Sequence, residues 1–284
     1  MVLSLKIWDV QHGSAAYIRT PNGKHIAIDL GSGSNKDRSF SPLLYLKNKY
    51  NIDRLDKVII THPHTDHIDD IENFYELRPK MLQRPKHLKE EDIRNANQTK
   101  DSAKIDKYLE INRKYSYPTS SDKNVDLSIN NGGVNISTFH PTKCDTSNVN
   151  NHSIVTIIDY LGVKVLVPGD NQIESWQELL EIAAFKKAIE KVDIFIASHH
   201  GRENGYCAEL FEHFTPRLVI ISDGPATTTN VSSKYSNLAT GWEVHSRGNG
   251  QSKKRYCLTT RQDGCVNIEI GQNSTAPYLE VTID

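Results

Sequence analysis

Thr61-His-Pro-His-Thr-Asp-His67 is the stretch that determines how this chain folds and what it can bind. It directly follows the apolar run Lys57-Val-Ile-Ile60, which predicts a short buried strand with a loop at its carboxyl end. The first two histidines alternate, so they can face one ion, and the last two polar residues lie further round, where they can face a second. Imidazole and carboxylate groups at this density suit Zn²⁺, Mn²⁺ or Fe. The candidate metal ligands are His62, His64, Asp66 and His67.

The composition is that of an ordinary globular protein. Of the 284 residues, 37% are hydrophobic and 24% are charged. The net charge of −1 gives no global field that would recruit nucleic acid or a membrane, so such binding would need a local patch. The four cysteines form no C-x-x-C pair, no export signal opens the chain, and no apolar stretch approaches ~20 residues. These features predict a soluble, cytoplasmic protein without a membrane partner.

Short apolar runs alternate with helical patterns along the chain. Helical patterns cover residues 41–50, 69–77 and 174–190, and apolar runs lie between them. Strands that alternate with helices predict a layered α/β domain. Residues 84–123 are polar and poor in aliphatic side chains, which predicts an insertion with one or two exposed helices. We therefore expect a single domain, residues 1–284, that carries this insertion.

The ligand cluster is part of an ordered set of motifs. The others are Ile28-Asp-Leu-Gly31, Asn150-Asn-His-Ser153, Val167-Pro-Gly-Asp170 and Ser198-His-His-Gly201. This set resembles the metallo-β-lactamase superfamily. With Asp9-Val-Gln-His-Gly13 it resembles the ComEC-like branch, the nuclease domain of competence proteins, and residues 256–264 look like the closing hairpin of that domain. The resemblance implies a four-layer αββα fold of the α/β class, with two mixed β-sheets sandwiched between helices.

The resemblance also implies two divalent metal ions, zinc or manganese. Asp170 is the carboxylate at a strand end that can bridge them. The second ion takes one histidine of the doublet, and His199 is preferred because it lies closer to the strand end. His200 then faces the substrate as a phosphate contact or proton donor. The first ion is expected to bind His62, His64, His152 and Asp170, and the second Asp66, His67, Asp170 and His199.

Three residues near this set have alternative interpretations. Asp29 is expected to orient a ligand imidazole, although it could instead cap the following turn. His152 could be a hydrogen-bonded loop histidine, because the ComEC-like branch usually carries Asn near this position. His12 replaces a Gln of related sequences and either faces the substrate or is only a turn residue.

A two-metal site activates water at neutral pH, so the motifs predict hydrolysis but leave the substrate open. The histidine doublet, the ComEC-like resemblance and a cationic stretch at residues 246–256 favour a phosphodiesterase or nuclease that acts on nucleic acid or a nucleotide. The alternatives are a lactone or thioester hydrolase, or a catalytically silent binding or regulatory module on the same fold. The cationic stretch could also be a solvated hairpin. The predicted catalytic residues are Asp66, Asp170 and His200, and the predicted substrate contacts are His12, Arg247, Lys253, Lys254 and Arg255.

Overall fold

The computed structural model describes residues 1–35, 38–118, 120, 124–225 and 229–284. Its strands are β1 (Val2–Ile7), β2 (Ala16–Arg19), β3 (His25–Ile28), β4 (Gly33–Asn35), β5 (Arg38–Phe40), β6 (Lys57–Ile59), β7 (Met81–Gln83), β8 (Asn135–Phe139), β9 (Val155–Tyr160), β10 (Val163–Val167), β11 (Ile194–Ile196), β12 (Leu218–Ile221), β13 (Trp242–Ser246), β14 (Ser252–Arg255), β15 (Cys257–Thr259), β16 (Val266–Gln272) and β17 (Pro277–Ile283). Its α-helices are α1 (Pro42–Tyr50), α2 (Thr65–Ile68), α3 (Glu90–Asn95), α4 (Ser102–Lys114), α5 (Ile173–Leu180), α6 (Ala183–Ile189), α7 (Ser232–Leu238) and α8 (Thr260–Asp263).

Most strands belong to two mixed sheets. The nine-stranded sheet has the order β14-β13-β17-β16-β1-β2-β3-β6-β7, and the six-stranded sheet has the order β15-β12-β11-β10-β9-β8. β3, β6 and β7 pair in parallel, as do β10, β11, β12 and β15, whereas β1 pairs antiparallel with both neighbours. The parallel strands β6, β11 and β12 consist entirely of buried residues, as expected for strands covered on both faces.

Three apolar clusters hold the layers together. The first lies between the sheets and includes Ile18, Ile28, Val165, Ile196 and Ile220. The second joins the nine-stranded sheet to α1 and α4 and includes Val58, Leu43, Leu46, Tyr108 and Leu109. The third joins the six-stranded sheet to α5, α6 and α7 and includes Phe195, Val219, Trp176, Phe185 and Tyr235. Helices therefore cover the outer faces of two packed sheets, and the predicted α/β fold with two mixed sheets is confirmed.

Local sequence signals explain where two helical segments begin and end. The Ser41 hydroxyl accepts a hydrogen bond from the Leu44 amide at 3.0 Å, so it caps α1, and Asn51 ends that helix in the left-handed conformation. Residues 174–190, predicted as one helical pattern, form two helices that are separated at Glu181 and Ile182. The break lets both helices place their aromatic residues in the third cluster.

Residues 84–123 contain α3 and α4, while residues 119 and 121–123 lie outside the described part of the chain. The sequence predicted exposed helices here, but one face of α4 is buried. Its apolar residues Ile105, Tyr108 and Leu109 have the spacing of a helical stripe and pack in the second cluster. Among the described residues, no helix combines the length and the apolar character needed to cross a bilayer.

Candidate metal centre

The candidate ligands lie after the carboxyl ends of strands in both sheets. The loop after β6 leads into α2, which carries Asp66 and His67. Asp170 follows β10, and the doublet His199–His200 follows β11. Because β10 and β11 are parallel neighbours, their carboxyl ends meet at one edge of the sheet. The packing of the two sheets then brings this edge against the loop after β6.

Asp170 lies at the middle of the cluster. Its Oδ1 is 3.3 Å from Nε2 of His67, and its Oδ2 is 3.3 Å from Nε2 of His200. Nε2 of His62 lies 4.0 Å from Oδ2, and Nε2 of His199 lies 3.9 Å from the same atom. The carboxylate is only 4% exposed, so histidine nitrogens rather than water surround it.

The potential ligand atoms separate into two groups, each with members within 4.8 Å of one another. The first group contains the carboxylate of Asp170, and the second contains the carboxylate of Asp66, which both histidines of that group approach. Oδ2 of Asp66 is 3.3 Å from Nε2 of His200 and 3.3 Å from Nε2 of His12. His200 therefore contacts both carboxylates and links the groups. The first group consists of His62, His67 and Asp170, and the second of His12, Asp66 and His200.

A buried hydrogen bond fixes the ring of His67. Its Nδ1 lies 2.7 Å from Oδ2 of Asp29, which is fully buried, so the N–H on this atom donates to the carboxylate. Asp29 also accepts hydrogen bonds from the amide of Thr61 at 2.7 Å and from its hydroxyl. Nε2 of His67 is buried without a hydrogen-bond partner and lies 3.3 Å from Oδ1 of Asp170, so this nitrogen is directed at that carboxylate.

The doublet places its two rings differently. Both residues have left-handed backbone angles, with φ of 50° at His199 and 55° at His200, a strained conformation for non-glycine residues. Nδ1 of His200 donates to the backbone oxygen of Ser222 at 2.9 Å, and its Nε2 is buried without a hydrogen-bond partner. Nδ1 of His199 instead contacts Oδ1 of Asn204 at 2.8 Å.

The buried carboxylates of the cluster favour positive charge on the neighbouring histidine rings. Burial alone would lower the pKa of His200, but the carboxylates of Asp170 and Asp66 overcome this effect and raise it to about 10. The pKa of His67 is also raised, against the effect of burial, by Asp170, Asp29 and Asp66. Protons on the rings thus supply the charge that the carboxylates need. Divalent ions can replace these protons, so the donor set and its two unpartnered ring nitrogens fit a metal centre.

The structure differs from the sequence-based assignment of ligands to ions at two places. His67, assigned to the second ion, groups with His62 because Asp29 turns its free nitrogen towards Asp170. In the doublet, His200 lies 3.3 Å from both carboxylates, while the ring of His199, which the sequence assigned to the second ion, contacts Asn204. The distance from the strand end therefore did not indicate which ring lies nearer to both carboxylates.

The structure also places His152 differently. Its Nδ1 lies 2.8 Å from Nε2 of His87, and its Nε2 lies 3.3 Å from the backbone oxygen of Asp145. The short 3-10 helix Val149–His152 instead brings Asn150 near His64, where its side chain acts to raise the pKa of that ring, although burial lowers the pKa overall. His64 adjoins the first group, since its Nδ1 is 3.0 Å from Nε2 of His62. His152 thus has the hydrogen-bonded loop position that the sequence offered as an alternative.

The predicted cationic stretch lies in the β13–β14 hairpin. β14 is the terminal strand of the nine-stranded sheet, and six strands separate it from β6. Arg255 forms two hydrogen bonds with Asp263, at 2.8 and 3.0 Å, and Arg247 contacts Asp284 at 3.5 Å. The ammonium group of Lys254 lies over the ring of Tyr256. Lys253 is exposed on the same strand. The structure therefore does not bring Arg247, Lys253, Lys254 and Arg255 to the ligand cluster.

Two functional neighbours were not found from the sequence. Asn97 accepts hydrogen bonds from the amide and hydroxyl of Thr65 and donates to the backbone oxygen of Pro63, so it holds the ligand loop from the insertion. Burial is the main cause of the lowered pKa values of His12 and His199, and the positive charge of Arg202 lowers both pKa values further. An asparagine in a polar stretch and an arginine after the doublet give no signal in the sequence.

Comparison with known proteins identifies the family. The profile of the metallo-beta-lactamase superfamily matches residues 8–206, which is more than half of the chain. The chain belongs to the metallo-β-lactamase superfamily. It is accordingly a metal-dependent hydrolase of that superfamily, whose members bind divalent metals.

Individual relatives are distant. ComE operon protein 3 of Bacillus subtilis (strain 168) is 24% identical over 233 residues, covering 76% of this chain and 28% of that protein, which supports the ComEC-like resemblance. The chain thus spans less than a third of that relative. A solved diphosphatase of the PhnP family is 10% identical, with a TM-score of 0.48 and coverage of 95% of this chain and 98% of that one. The short form of human tRNase Z is 12% identical, with a TM-score of 0.41 and coverage of 81% and 96%.

Proposed function

We propose that this protein is a two-metal phosphodiesterase that acts on nucleic acid or a nucleotide. The observation that carries the proposal is the position of Asp170, buried within 3.3 Å of ring nitrogens of His67 and His200 that lack hydrogen-bond partners. A carboxylate placed between two groups of nitrogen donors suits a pair of ions. Such ions, when bound, lower the pKa of water and stabilise negative charge on a phosphoryl group.

The ligand groups suggest how the ions would be held. His62 and His67 would hold the first ion with Asp170, and His64 adjoins this group. Asp66 and His200 would hold the second ion, with Asp170 shared between the two. Imidazole and carboxylate donors favour zinc or manganese over magnesium or calcium, which prefer oxygen donors alone.

The surroundings of the cluster favour an anionic substrate. A groove of about 430 Å³ lies beside the doublet, and its lining residues are Ile173, Arg202, Glu203, Asn204 and Thr229. Glu203 in this groove is paired with Lys234 at 2.9 Å, whereas the planar guanidinium of Arg202 matches the geometry of a phosphate. We propose that Arg202 binds the phosphate and that His199, oriented by Asn204, contacts the substrate. The ComEC-like resemblance, which implies cleavage of nucleic acid, supports this choice over lactones or thioesters.

A substrate panel with metal analysis tests the proposal. Bound metal per chain is measured in protein purified without chelator. Bis-p-nitrophenyl phosphate, single-stranded DNA, RNA and a thioester are then assayed with Zn²⁺ or Mn²⁺. We expect hydrolysis of phosphodiesters, and we expect Asp170→Asn to lower kcat/KM at least about a thousandfold, or ~4 kcal/mol of barrier.

His245→Ala is the matched control, because His245 is an exposed histidine on β13 outside the ligand cluster, and it should retain full activity. Arg202→Gln should raise KM for phosphodiesters more than it lowers kcat. Protein without bound metal, or a preference for the thioester, would contradict the proposal.

A further inference from the structure

The ring of His12 lies at the open side of the second ligand group. Its Nε2 is 3.3 Å from Oδ2 of Asp66, the same oxygen that Nε2 of His200 approaches at 3.3 Å. The ring centroids of His12 and His200 are 5.0 Å apart. Two imidazole nitrogens thus approach one carboxylate oxygen at equal distance. His12 is half exposed and His200 is buried, so the two rings approach from the solvent and from the interior.

The backbone around His12 is held against Asp66. Gln11 has a φ of 58°, and its amide and side chain both donate to the carboxylate of Asp9, at 3.1 and 3.0 Å. A Cβ atom at Gly13 would lie 2.6 Å from the backbone oxygen of Asp66, so only glycine permits this approach. This turn therefore presents His12 to the side chain of Asp66 by close packing against the same residue.

A second loop packs closely against the backbone of His12. A Cβ atom at Gly224 would lie 2.8 Å from the backbone nitrogen of His12, so the loop after β12 packs directly on this turn. The amide of Ser14 donates to the backbone oxygen of Asp66 at 3.2 Å, which ties the end of the turn to α2. His12 is thus positioned by two elements that also hold the ligand cluster.

The arrangement of donors around Asp66 suits a cation. Nδ1 of His200 is engaged with the Ser222 backbone oxygen, so its Nε2 presents a lone pair towards Asp66. A lone pair facing a carboxylate is repulsive unless a proton or a metal ion lies between them. Two imidazole nitrogens and one carboxylate oxygen make a donor set that zinc uses in catalytic sites, which keep a further position open for water or substrate.

We propose that His12 is a ligand of the second metal ion, together with Asp66 and His200. This proposal rests on the proposed two-metal function and adds a ligand from the β1–β2 loop. The additional nitrogen donor should increase the affinity of the second position for zinc relative to manganese, because imidazole suits zinc and manganese favours oxygen donors.

Metal titration of the full chain tests the proposal without an activity assay. Protein freed of metal with a chelator is titrated with Zn²⁺ by calorimetry and with Co²⁺ by visible absorption. The wild-type chain is expected to bind two ions. In His12→Ala, the first ion should bind as in the wild type, and the affinity for the second should fall at least about tenfold, since even outer hydrogen-bonding partners of ligands are worth 10–100-fold.

Two further readouts separate ligation from folding. The Co²⁺ form of His12→Ala should lose one hyperfine-shifted imidazole N–H signal, and His245→Ala should lose none. The metal-free His12→Ala and wild-type chains should unfold at the same temperature, because the ring of His12 is half exposed. Binding of both ions to His12→Ala with the wild-type affinity and spectrum would overturn this inference and leave the proposed function standing. A wild-type chain that binds no ion would overturn the proposed function itself.

Discussion

Asp29 illustrates how the candidate site depends on a fully buried residue outside the two ligand groups. It directly follows β3 with a φ of 58°, and its two oxygens accept hydrogen bonds from Thr61 and His67. These bonds fix the ring of His67 with one nitrogen directed at Asp170. The sequence offered orientation of an imidazole as the role of Asp29, and the hydrogen bond to His67 is the contact that such a role needs.

We predict that Asp29→Asn weakens metal binding with little change in side-chain volume. An amide presents an N–H group where Thr61 or His67 needs an acceptor, so one buried donor loses its partner. The affinity for zinc should fall about 10–100-fold, and the free energy of unfolding in chelator should fall by about 1–3 kcal/mol. Competition with a chromophoric chelator and urea denaturation measure the two effects. Asp53→Asn, at an exposed position, is the control, and equal zinc affinity in the two variants would contradict the prediction.

At this scale the sequence identifies the residues but not their partners. The cluster of residues 62–67 and Asp170 could be predicted as one site from motifs, and the structure does bring His62, His67 and Asp170 together. The different positions of the His199 and His200 rings could not be predicted, since they depend on two left-handed backbone positions and on Asn204. The position of His152 depends in turn on a short 3-10 helix and on His87 from the insertion.

Among the elements, residues 84–123 contact both the ligand loop and the apolar core. The insertion provides Asn97, which binds the ligand loop, and His87, which contacts His152. α4 of this segment also packs in the second cluster. Hydrophobic periodicity predicted the layered α/β class and the helical segments at residues 41–50 and 174–190, while the predicted helical pattern at residues 69–77 forms the 3-10 helix Ile71–Glu76. It missed the buried face of α4, and it gave no sign that residues 256–264 form β15 and α8 rather than a hairpin, because the chain crosses there from one sheet to the other.

We predict that Asn97→Ala destabilises the ligand loop. Its side chain accepts hydrogen bonds from Thr65 at 2.9 and 2.8 Å and donates to Pro63 and Ile93, so removal leaves several backbone groups without partners. The free energy of unfolding should fall by about 1–3 kcal/mol, with weaker zinc binding. Asn95→Ala, exposed at the end of α3, should change neither quantity. Indistinguishable melting curves and zinc titrations for the two variants would show that the insertion does not support the site.

Over the whole molecule, the site joins the two sheets. Asp29 and residues 62–67 come from the nine-stranded sheet, while Asp170 and His200 come from the six-stranded sheet. Bound ions would therefore link the two halves of the sandwich directly. The first cluster joins the same halves through apolar contacts alone.

We predict that metal binding increases the stability of the whole fold. An ion at a thousand times its Kd adds about 4 kcal/mol to the free energy of unfolding, which corresponds to roughly 10 °C in Tm for a chain of this size. Calorimetric scans with zinc and with excess chelator measure the difference. Asp170→Asn should retain only part of the increase. A wild-type Tm that is the same in zinc and in chelator would show that the cluster does not hold ions.

The pairing of β1 with β16 has a consequence for biosynthesis. Residues 2–7 pair with residues 266–271, so β1 must wait for a strand that is translated much later. Residues 62–67 leave the ribosome on the order of ten seconds before His200, at ~5–20 residues per second. The proposed two-metal site is therefore complete only after His200 has been translated, so tight binding of both proposed ions would follow translation.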